Sequence, residues 1–360
     1  MSDIRGALQR VSRHNLFWPA LALVLLVVAN VIYRPGFVKI EMLQGHLYGS
    51  LVDILRQSAP LIIIALGMTL VIATGGIDLS VGSVVAIGGA VAVSYVSGLD
   101  DQNSVGGVLV ACLLAAAVGA AFGLWNGILV AGIGIAPIIA TLILMVAGRG
   151  IAQLITEGQI ITINSAPYKL LGAGFWLTLP FALFIAAALI LLTALLTRRT
   201  ALGMFVESVG GNAEASRLAG IRSRRFILLV YVFSGFCAGT AGLLATSDVS
   251  AADGNQAGLY WELDAILAVV IGGTSLAGGR FSLGGTVLGA IFIKTLTTTV
   301  YSMGINPQQA LLFKALVVIL VCLIQSPQFR ETVAGSWRRR RRRPEPPAAP
   351  AEHPKVEVPA

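Results

Sequence analysis

The amino-acid sequence predicts an all-α fold, a polytopic transmembrane helical bundle of about ten spans with a short helical hairpin on the cytoplasmic side. Two observations predict it. Hydrophobic residues make up 56% of the 360-residue chain and charged residues only 12%, about half the charged share of soluble domains. Apolar stretches of roughly 20 residues recur along the chain, which suits membrane helices and is too long for barrel strands.

The predicted spans follow one another along most of the chain. They lie at about 16–33, 55–75, 80–97, 106–131, 136–156, 173–197, 226–246, 263–278, 283–303 and 309–326. The first could be mistaken for a signal peptide because arginines precede it. Its apolar run is long, however, and no small-residue cleavage site follows, so we expect it to remain as a span. The eighth span is short.

The distribution of basic residues predicts the orientation. Three arginines precede the first span, six lie between the sixth and seventh spans, and six form the block Arg338–Arg343. With ten spans, all three clusters fall on one side, which the positive-inside rule assigns to the cytoplasm. We therefore expect a multi-pass membrane protein with both termini in the cytoplasm.

The composition divides the chain into a transmembrane domain, 1–335, and a tail, 336–360. The tail carries the arginine block followed by a proline-rich, charged stretch, so we expect it to be disordered. Six of the eight net positive charges belong to that block. Because it follows a span, it is expected to lie on anionic lipid headgroups, and we expect no nucleic-acid partner.

Enzyme chemistry is disfavoured by the motifs that the sequence lacks. The three histidines lie outside the apolar runs, and neither a GxSxG nor a GxxxxGK[ST] pattern occurs. The three cysteines fall inside apolar runs, where they are expected to be small core residues. We therefore expect no catalytic residue, no metal site and no cofactor.

The segment 198–225, between the sixth and seventh spans, is expected to be a helical hairpin. It reads as a short helix over 201–209, a tight Gly210–Gly211 turn with positive φ at Gly211, and a second short helix. Asn212 suits its N-cap, Glu214 suits the positive end of its dipole, and Gly220 suits its end. The hairpin is either a connector held on headgroups by its arginines or a docking element for a cytosolic partner.

Two glycine-rich interruptions resemble each other. "GGIDLSVGSVV" at 75–85 and "GGRFSLGGTVL" at 278–288 each place two glycines, a polar or charged residue and a serine before a span. Transporters often carry matched interruptions of this kind near the substrate path.

Four stretches of the chain resemble a known family. They are "GMTLVIATGGIDLSVGSVVAI" (67–87), "LWNGILVAGIGIAPIIATLILMVAGRGIAQLITEGQIIT" (124–162), "LTRRTALGMFVESVGGNAEASRLAGI" (196–221) and "ELDAILAVVIGGTSLAGGRFSLGGTVLGAIFI" (262–293). Over roughly residues 50–325 the chain resembles the membrane permeases of bacterial sugar ABC importers of the ribose/galactose type, most closely the galactofuranose type.

The resemblance implies a transport subunit that moves a monosaccharide (galactofuranose, ribose or galactose-like) into the cytoplasm. It further implies a cytosolic ATPase with two nucleotide-binding modules, a second permease chain that is identical or a paralogue, and a periplasmic sugar-binding protein. The segment matching 207–220 would be the helix that couples to the ATPase. The positions most like the family pattern are Glu207, Gly210, Gly211, Asn212, Glu214 and Gly220.

Polar residues inside or beside the spans are candidates for the translocation path. Asp78 can cap exposed N–H groups at the start of a span, or it can contact sugar directly. Arg149, Gln153 one turn later, and Asn126 can either hydrogen-bond neighbouring helices or line the path. Two further charges, Lys294 and Lys314, are expected to extend toward a membrane interface.

Two alternatives to the transport subunit stay open at the level of sequence. One is a passive channel or facilitator for small polar solutes, against which the docking hairpin argues. The other is a membrane-embedded enzyme, against which the missing catalytic motifs argue.

Overall fold

The computed structural model describes residues 16–43 and 45–325, and this part of the chain is almost entirely helical. The helices are α1 (Phe17–Tyr33), α2 (Ser50–Ala73), α3 (Val81–Ser97), α4 (Val105–Gly127, continued by a π-helical turn, Ile128–Ile133), α5 (Pro137–Ile155), α6 (Ala166–Gly172), α7 (Phe181–Arg198), α8 (Leu202–Gly211), α9 (Ala213–Leu218), α10 (Ser223–Val249), α11 (Trp261–Ile271), α12 (Leu283–Ser302) and α13 (Pro307–Gln325).

Three short antiparallel strand pairs connect the helices. Strands β1 (Glu41–Leu43) and β2 (His46–Tyr48) pair before α2, and β4 (Phe175–Trp176) and β5 (Leu179–Pro180) pair before α7. Strand β3 (Ile160–Thr162) pairs with the distant β6 (Ala251–Asp253), so it links the ends of α5 and α10.

Each predicted span contains one of the longer helices, but two differ in length. Within the described residues, six helices are long and apolar enough to cross a membrane: α2, α4 with its π-helical turn, α5, α7, α10 and α12. Helix α7 starts at Phe181 rather than near 173, because the β4–β5 hairpin occupies the intervening residues. Helix α11 has only 11 residues, and the glycine-rich stretch that the prediction included in its span is not helical.

Helix α2 forms the centre of the bundle. Every residue from Ser58 to Ala73 is buried, which explains why this span carries no charge in that stretch. Pro60 lies inside the helix and cannot donate the backbone hydrogen bond to Arg56 that other residues would. Helices α3, α7, α10, α11 and α12 pack around α2 or close to it.

A seam of small residues holds α3, α4 and α10 close together. A Cβ on Gly119 or Gly123 of α4 would meet the backbone of α10, and a Cβ on Gly235 would meet the backbone of α4. Gly239 of α10 lies between the two neighbouring helices, against Ala115 of α4 and Gly88 of α3. Close backbone approach through glycine is a typical packing mode of membrane helices, and here the same residues also leave no room for larger side chains.

The outward faces of α4, α5, α7 and α13 are apolar and exposed. Examples are Leu113, Val146, Leu191 and Leu312, each more than half exposed. Patches of this extent on a helical bundle indicate faces covered by lipid or by another chain. The predicted tail 336–360 and its arginine block lie outside the described residues.

Candidate functional site

The predicted helical hairpin is formed by α8 and α9, with Asn212 between them. The Asn212 side chain accepts hydrogen bonds from the backbone N–H groups of Glu214 (3.1 Å) and Ala215 (2.9 Å), the geometry of an N-cap. The turn therefore falls at Asn212, whose φ of −161° and ψ of 103° leave the helical region. Gly210 and Gly211 belong to α8, and neither has positive φ, so the predicted Gly210–Gly211 turn is wrong.

The second half of the hairpin ends as its sequence predicts. Gly220 has a φ of +86°, and the N–H of Ile221 donates to the carbonyl of Ser216, so glycine supplies the left-handed residue after α9. On the exposed face of α9, Arg217 donates two hydrogen bonds to Glu214 (3.0 and 2.5 Å), and this bidentate pair lowers the pKa of the Glu214 carboxyl. The half-buried Glu207 has no hydrogen-bond or ion-pair partner within the part of the chain that the structure describes.

Gly210 is the point where the hairpin meets the bundle. A Cβ at this position would collide with the carbonyl oxygen of Ala73 at the end of α2 and approach the backbone nitrogen of Gly279. The N–H of Gly279 donates to the Ala73 carbonyl (2.9 Å), and Gly278 packs against Gly75. The two glycine-rich interruptions that resemble each other in sequence are therefore neighbours in space, and both lie beside Gly210.

Asp78 and Asn126 meet through Ser80 in a buried polar cluster. Asp78 accepts hydrogen bonds from the Ser80 N–H (3.0 Å) and hydroxyl (2.6 Å) and from the Ser234 hydroxyl (2.9 Å). The amide of Asn126 donates to the Ser80 hydroxyl (2.8 Å). All four side chains are buried. The cluster thus ties the start of α3 to α4 and α10, and Asp78 caps one backbone N–H as its sequence context predicts.

Arg149 and Gln153 of α5 hold a segment that enters the bundle between β6 and α11. The Arg149 guanidinium donates to the carbonyls of Gly254 (3.2 Å) and Ala257 (2.6 Å). One turn later, the Gln153 amide donates to the side chain of Asn255 (2.6 Å). Two of the four predicted path residues therefore bind the 254–257 segment, and the other two belong to the Asp78 cluster.

The 254–260 segment passes between helices of the bundle before α11 begins. A Cβ on Gly258 would meet the backbone of Gly82 and the side chain of Val85 in α3, and the buried Glu262 carboxyl also lies against Gly82. Tyr260 adopts a left-handed conformation with φ of 63°, which redirects the chain into α11. That this segment enters the bundle was not predicted from the sequence. A tryptophan followed by two acidic residues before a short apolar run, which an ordinary span lacks, is the signal that could have indicated it.

The two lysines predicted to extend toward an interface lie inside the bundle instead. Lys314 of α13 forms an ion pair with Asp264 of α11, and both side chains are about 15% exposed. The Lys294 ammonium lies 5.1 Å from the centre of the Trp261 ring. The expectation failed because the partners of both lysines lie in the short α11. The sequence alone does not show that α11 packs against these lysines. Within the described ranges, no group of three or more His, Cys, Asp or Glu side chains could hold a metal.

Comparison with known proteins places this architecture in a family. The model of the branched-chain amino acid transport system / permease component family matches residues 50–322. The chain is 47% identical to the galactofuranose transporter permease protein YtfT of Escherichia coli K12, with 88% of this chain and 93% of that protein covered. No solved structure matches it.

Two further relatives cover nearly as much of the chain. Identity is 43% with the fructose import permease protein FruF of Bifidobacterium longum (91% of this chain, 92% of that protein) and 36% with the ribose import permease protein RbsC of Escherichia coli K12 (85% and 92%). With a family match over three quarters of its residues and full-length relatives of this kind, the chain belongs to the branched-chain amino acid transport system / permease component family.

Proposed function

We propose that this chain is the permease subunit of an ATP-binding-cassette importer that moves a monosaccharide from the periplasm to the cytoplasm. The observation that carries the proposal is the near-full-length similarity to permeases named for galactofuranose, fructose and ribose. The substrate is a galactofuranose-, ribose- or galactose-like sugar. The subunit itself is not catalytic, and ATP is hydrolysed in a partner chain.

The partners are those that such an importer needs. A cytosolic ATPase with two nucleotide-binding modules supplies the energy, a second permease chain completes the pathway, and a periplasmic protein delivers the sugar. All ten apolar helices cross the inner membrane in this proposal, with α11 completed by its flanking irregular segments. The termini are cytoplasmic, and the arginine block binds lipid headgroups.

The α8–α9 hairpin is the proposed seat of the ATPase. Glu207 offers a half-buried carboxylate with no intramolecular partner, so it is free for a basic group of the ATPase. Among the other proposed coupling positions, four shape the hairpin: Gly210, Asn212, Glu214 and Gly220. The fifth, Gly211, lies on the open side of α8, where a Cβ would meet nothing within 4 Å. Because Gly210 touches the ends of both glycine-rich interruptions, a push on the hairpin would reach α2, α3 and α12 together.

We propose that the four polar residues first considered for the path hold the surrounding helices and segments in place. The contacts of Asp78 and Asn126 favour a role in fixing the start of α3, and those of Arg149 and Gln153 favour a role in fixing the segment before α11. The hydrogen bonds of Asp78, Arg149 and Gln153 argue against direct sugar contact in this conformation, whereas the buried Asn126 Oδ1 has no hydrogen-bond partner among the described residues.

Reconstitution tests the proposed function. The permease would be co-expressed with its ATPase, second permease and sugar-binding protein, purified as a complex, and placed in proteoliposomes. We expect accumulation of radiolabelled ribose, fructose or galactofuranose against a gradient only when ATP and the binding protein are both present. Equilibration of sugar without ATP would identify a facilitator and refute the proposal.

A further inference from the structure

A cavity of about 240 Å³ opens where α2, α10, α11 and α12 meet. Its polar lining comes from Arg56 and Gln57 of α2, Asp248 of α10, Trp261 of α11 and Lys294 of α12. None of these residues belongs to the Asp78 cluster, to the Arg149 contacts or to the α8–α9 hairpin. The volume is slightly below the range of about 300–1,000 Å³ typical of sites for drug-sized ligands, which suits a smaller solute such as a monosaccharide.

The cavity lies where several helices begin or end. Trp261 is the first residue of α11, Asp248 is the last but one of α10, and Arg56 lies six residues after the start of α2. Lys294 reaches the cavity from within α12, eleven residues after Leu283, or about 16 Å along the helix axis. Transporter substrate sites are typically formed where helices are interrupted in this way.

The lining of the cavity contains both paired and unpaired polar groups. Arg56 forms an ion pair with Asp248, and their side chains are 20% and 33% exposed. Lys294 has no hydrogen-bond or ion-pair partner among the described residues, and its ammonium lies over the face of Trp261. The nearby charges of Lys314 and Asp264 are already engaged with each other. An ammonium without a hydrogen-bond acceptor has three donors available to a ligand.

The chemistry of this lining matches a sugar ring. Lysine and arginine only donate hydrogen bonds, aspartate only accepts them, and the glutamine amide does both, whereas each sugar hydroxyl can donate and accept. The indole ring supplies a flat apolar surface against which the C–H face of a pyranose or furanose can pack. Pro60 also lines the cavity and cannot donate a backbone hydrogen bond to the Arg56 carbonyl as another helical residue would.

We propose that this cavity is a transit site for a neutral monosaccharide, with Trp261 stacked on the ring and Lys294, Arg56, Gln57 and Asp248 binding its hydroxyls. The inference rests on the proposed function, because it names where the sugar of that importer is held. It assigns the sugar contacts to residues other than the four polar positions singled out from the sequence.

Cysteine protection tests occupancy directly. Ala245 lines the cavity, and Ala245→Cys would be introduced into a permease whose native cysteines are replaced, within the assembled complex in right-side-out vesicles. We expect a membrane-impermeant thiol reagent to label it, and binding protein loaded with ribose, fructose or galactofuranose to slow labelling at least fivefold. Asp100→Cys, in an exposed loop, is the control and should be labelled at the same rate with and without sugar.

Transport by substituted permeases tests the roles of the two central side chains. Lys294→Met and Trp261→Leu should lower uptake at least tenfold, while recovery of the ATPase in the complex and its basal ATP hydrolysis stay within twofold of the parent. Trp261→Phe should retain most uptake because it keeps an aromatic face. The controls are Trp125→Leu, on the exposed face of α4, and Lys39→Met, at an exposed pair with Glu41.

The outcomes separate this inference from the proposed function. If the parent complex transports sugar but Ala245→Cys is unlabelled, or is labelled at a rate that sugar leaves unchanged, the transit site is refuted and the importer stands. Parental uptake by both Lys294→Met and Trp261→Leu would refute it equally. Protection by galacturonate but not by neutral sugars would overturn the neutral-sugar assignment, and absence of transport by the parent complex would refute the importer itself.

Discussion

Gly210 and Gly211 are adjacent glycines with opposite surroundings. A side chain at Gly210 would strike the backbone of Ala73, whereas a side chain at Gly211 would meet nothing within 4 Å. The sequence marks both as a glycine pair and suggests a turn, yet only Gly210 is constrained, and the constraint is close approach rather than positive φ. Nothing local to the pair distinguishes them, because the crowding atom lies more than 130 residues away in the chain.

Alanine substitutions of these two glycines should therefore have different effects on uptake. Gly210→Ala is expected to displace the hairpin from the bundle and to reduce ATP-dependent uptake at least tenfold. Gly211→Ala should leave uptake unchanged, since alanine is the better helix former by up to about 1 kcal/mol. Uptake by reconstituted complexes, with recovery of the ATPase as a second measurement, makes the comparison. Equal behaviour of the two variants would contradict the proposed contact at Gly210.

Asp78 is the residue on which its buried cluster depends. Asp78→Ala should leave the Ser80 and Ser234 hydroxyls and the Ser80 N–H without their acceptor, at a cost of about 3 kcal/mol. We expect the melting temperature of the purified permease to fall by several degrees, and Asp78→Asn, which keeps one acceptor oxygen, to fall less. A melting temperature of Asp78→Ala equal to that of the parent would show that water replaces the carboxylate at no cost.

Individual polar residues were found from the sequence more readily than their partners. Asp78, Asn126, Arg149 and Gln153 stand out because polar groups in apolar runs require a reason. Ser80, which donates to Asp78, is only two residues away, but the other hydrogen-bond partners lie 46 to 156 residues away, so tertiary packing decides them. The N-cap at Asn212 was predictable because its acceptor geometry involves only the next three residues.

At the scale of elements, the packing of α3, α4 and α10 depends on the absence of side chains. Glycines spaced four residues apart in α4 and α10 allow the helix backbones to touch. The apolar sequence around them determines that helices form, but not which helices pack together. The existence of the longer helices was predictable from apolar length. The early end of α11 was not, because the residues after Ile271 are small and only weakly polar.

The seam of small residues predicts different effects of two glycine-to-alanine substitutions on stability. Gly235→Ala should force α4 and α10 apart and destabilise the permease by about 1–3 kcal/mol, the usual cost of overpacking. Gly150→Ala in α5, where a Cβ would meet nothing within 4 Å, should be neutral. Thermal unfolding of both variants in the same detergent measures the difference, and a stable Gly235→Ala would mean that the helices separate without loss.

At the scale of the whole molecule, the basic residues and the number of crossings together predict the orientation. Within the described residues, six helices are long and apolar enough to cross a membrane, and side chains that face lipid have the same apolar character as those that face a partner chain. The helical, membrane-spanning character of the fold was therefore predictable, whereas the surface that meets a second chain was not.

Reporter fusions test the orientation. Alkaline phosphatase, which is active only in the periplasm, should be inactive when fused after Gln325 and active when inserted at Asp100, between α3 and α4. β-Galactosidase fusions at the same two points should give the reverse pattern and serve as the control for expression. Phosphatase activity after Gln325 would require an odd number of crossings and would contradict the ten-span proposal.

The shortness of α11 has a consequence for how the chain is made. Its 11 residues extend about 16 Å, and Glu262 and Asp264 in its first turn are charges that oppose entry into lipid during synthesis. We therefore expect that insertion machinery that sorts segments one at a time would not retain α11 alone. We expect α11 to reach its place only after α12 and α13 have emerged, when Trp261 can meet Lys294 and Asp264 can pair with Lys314.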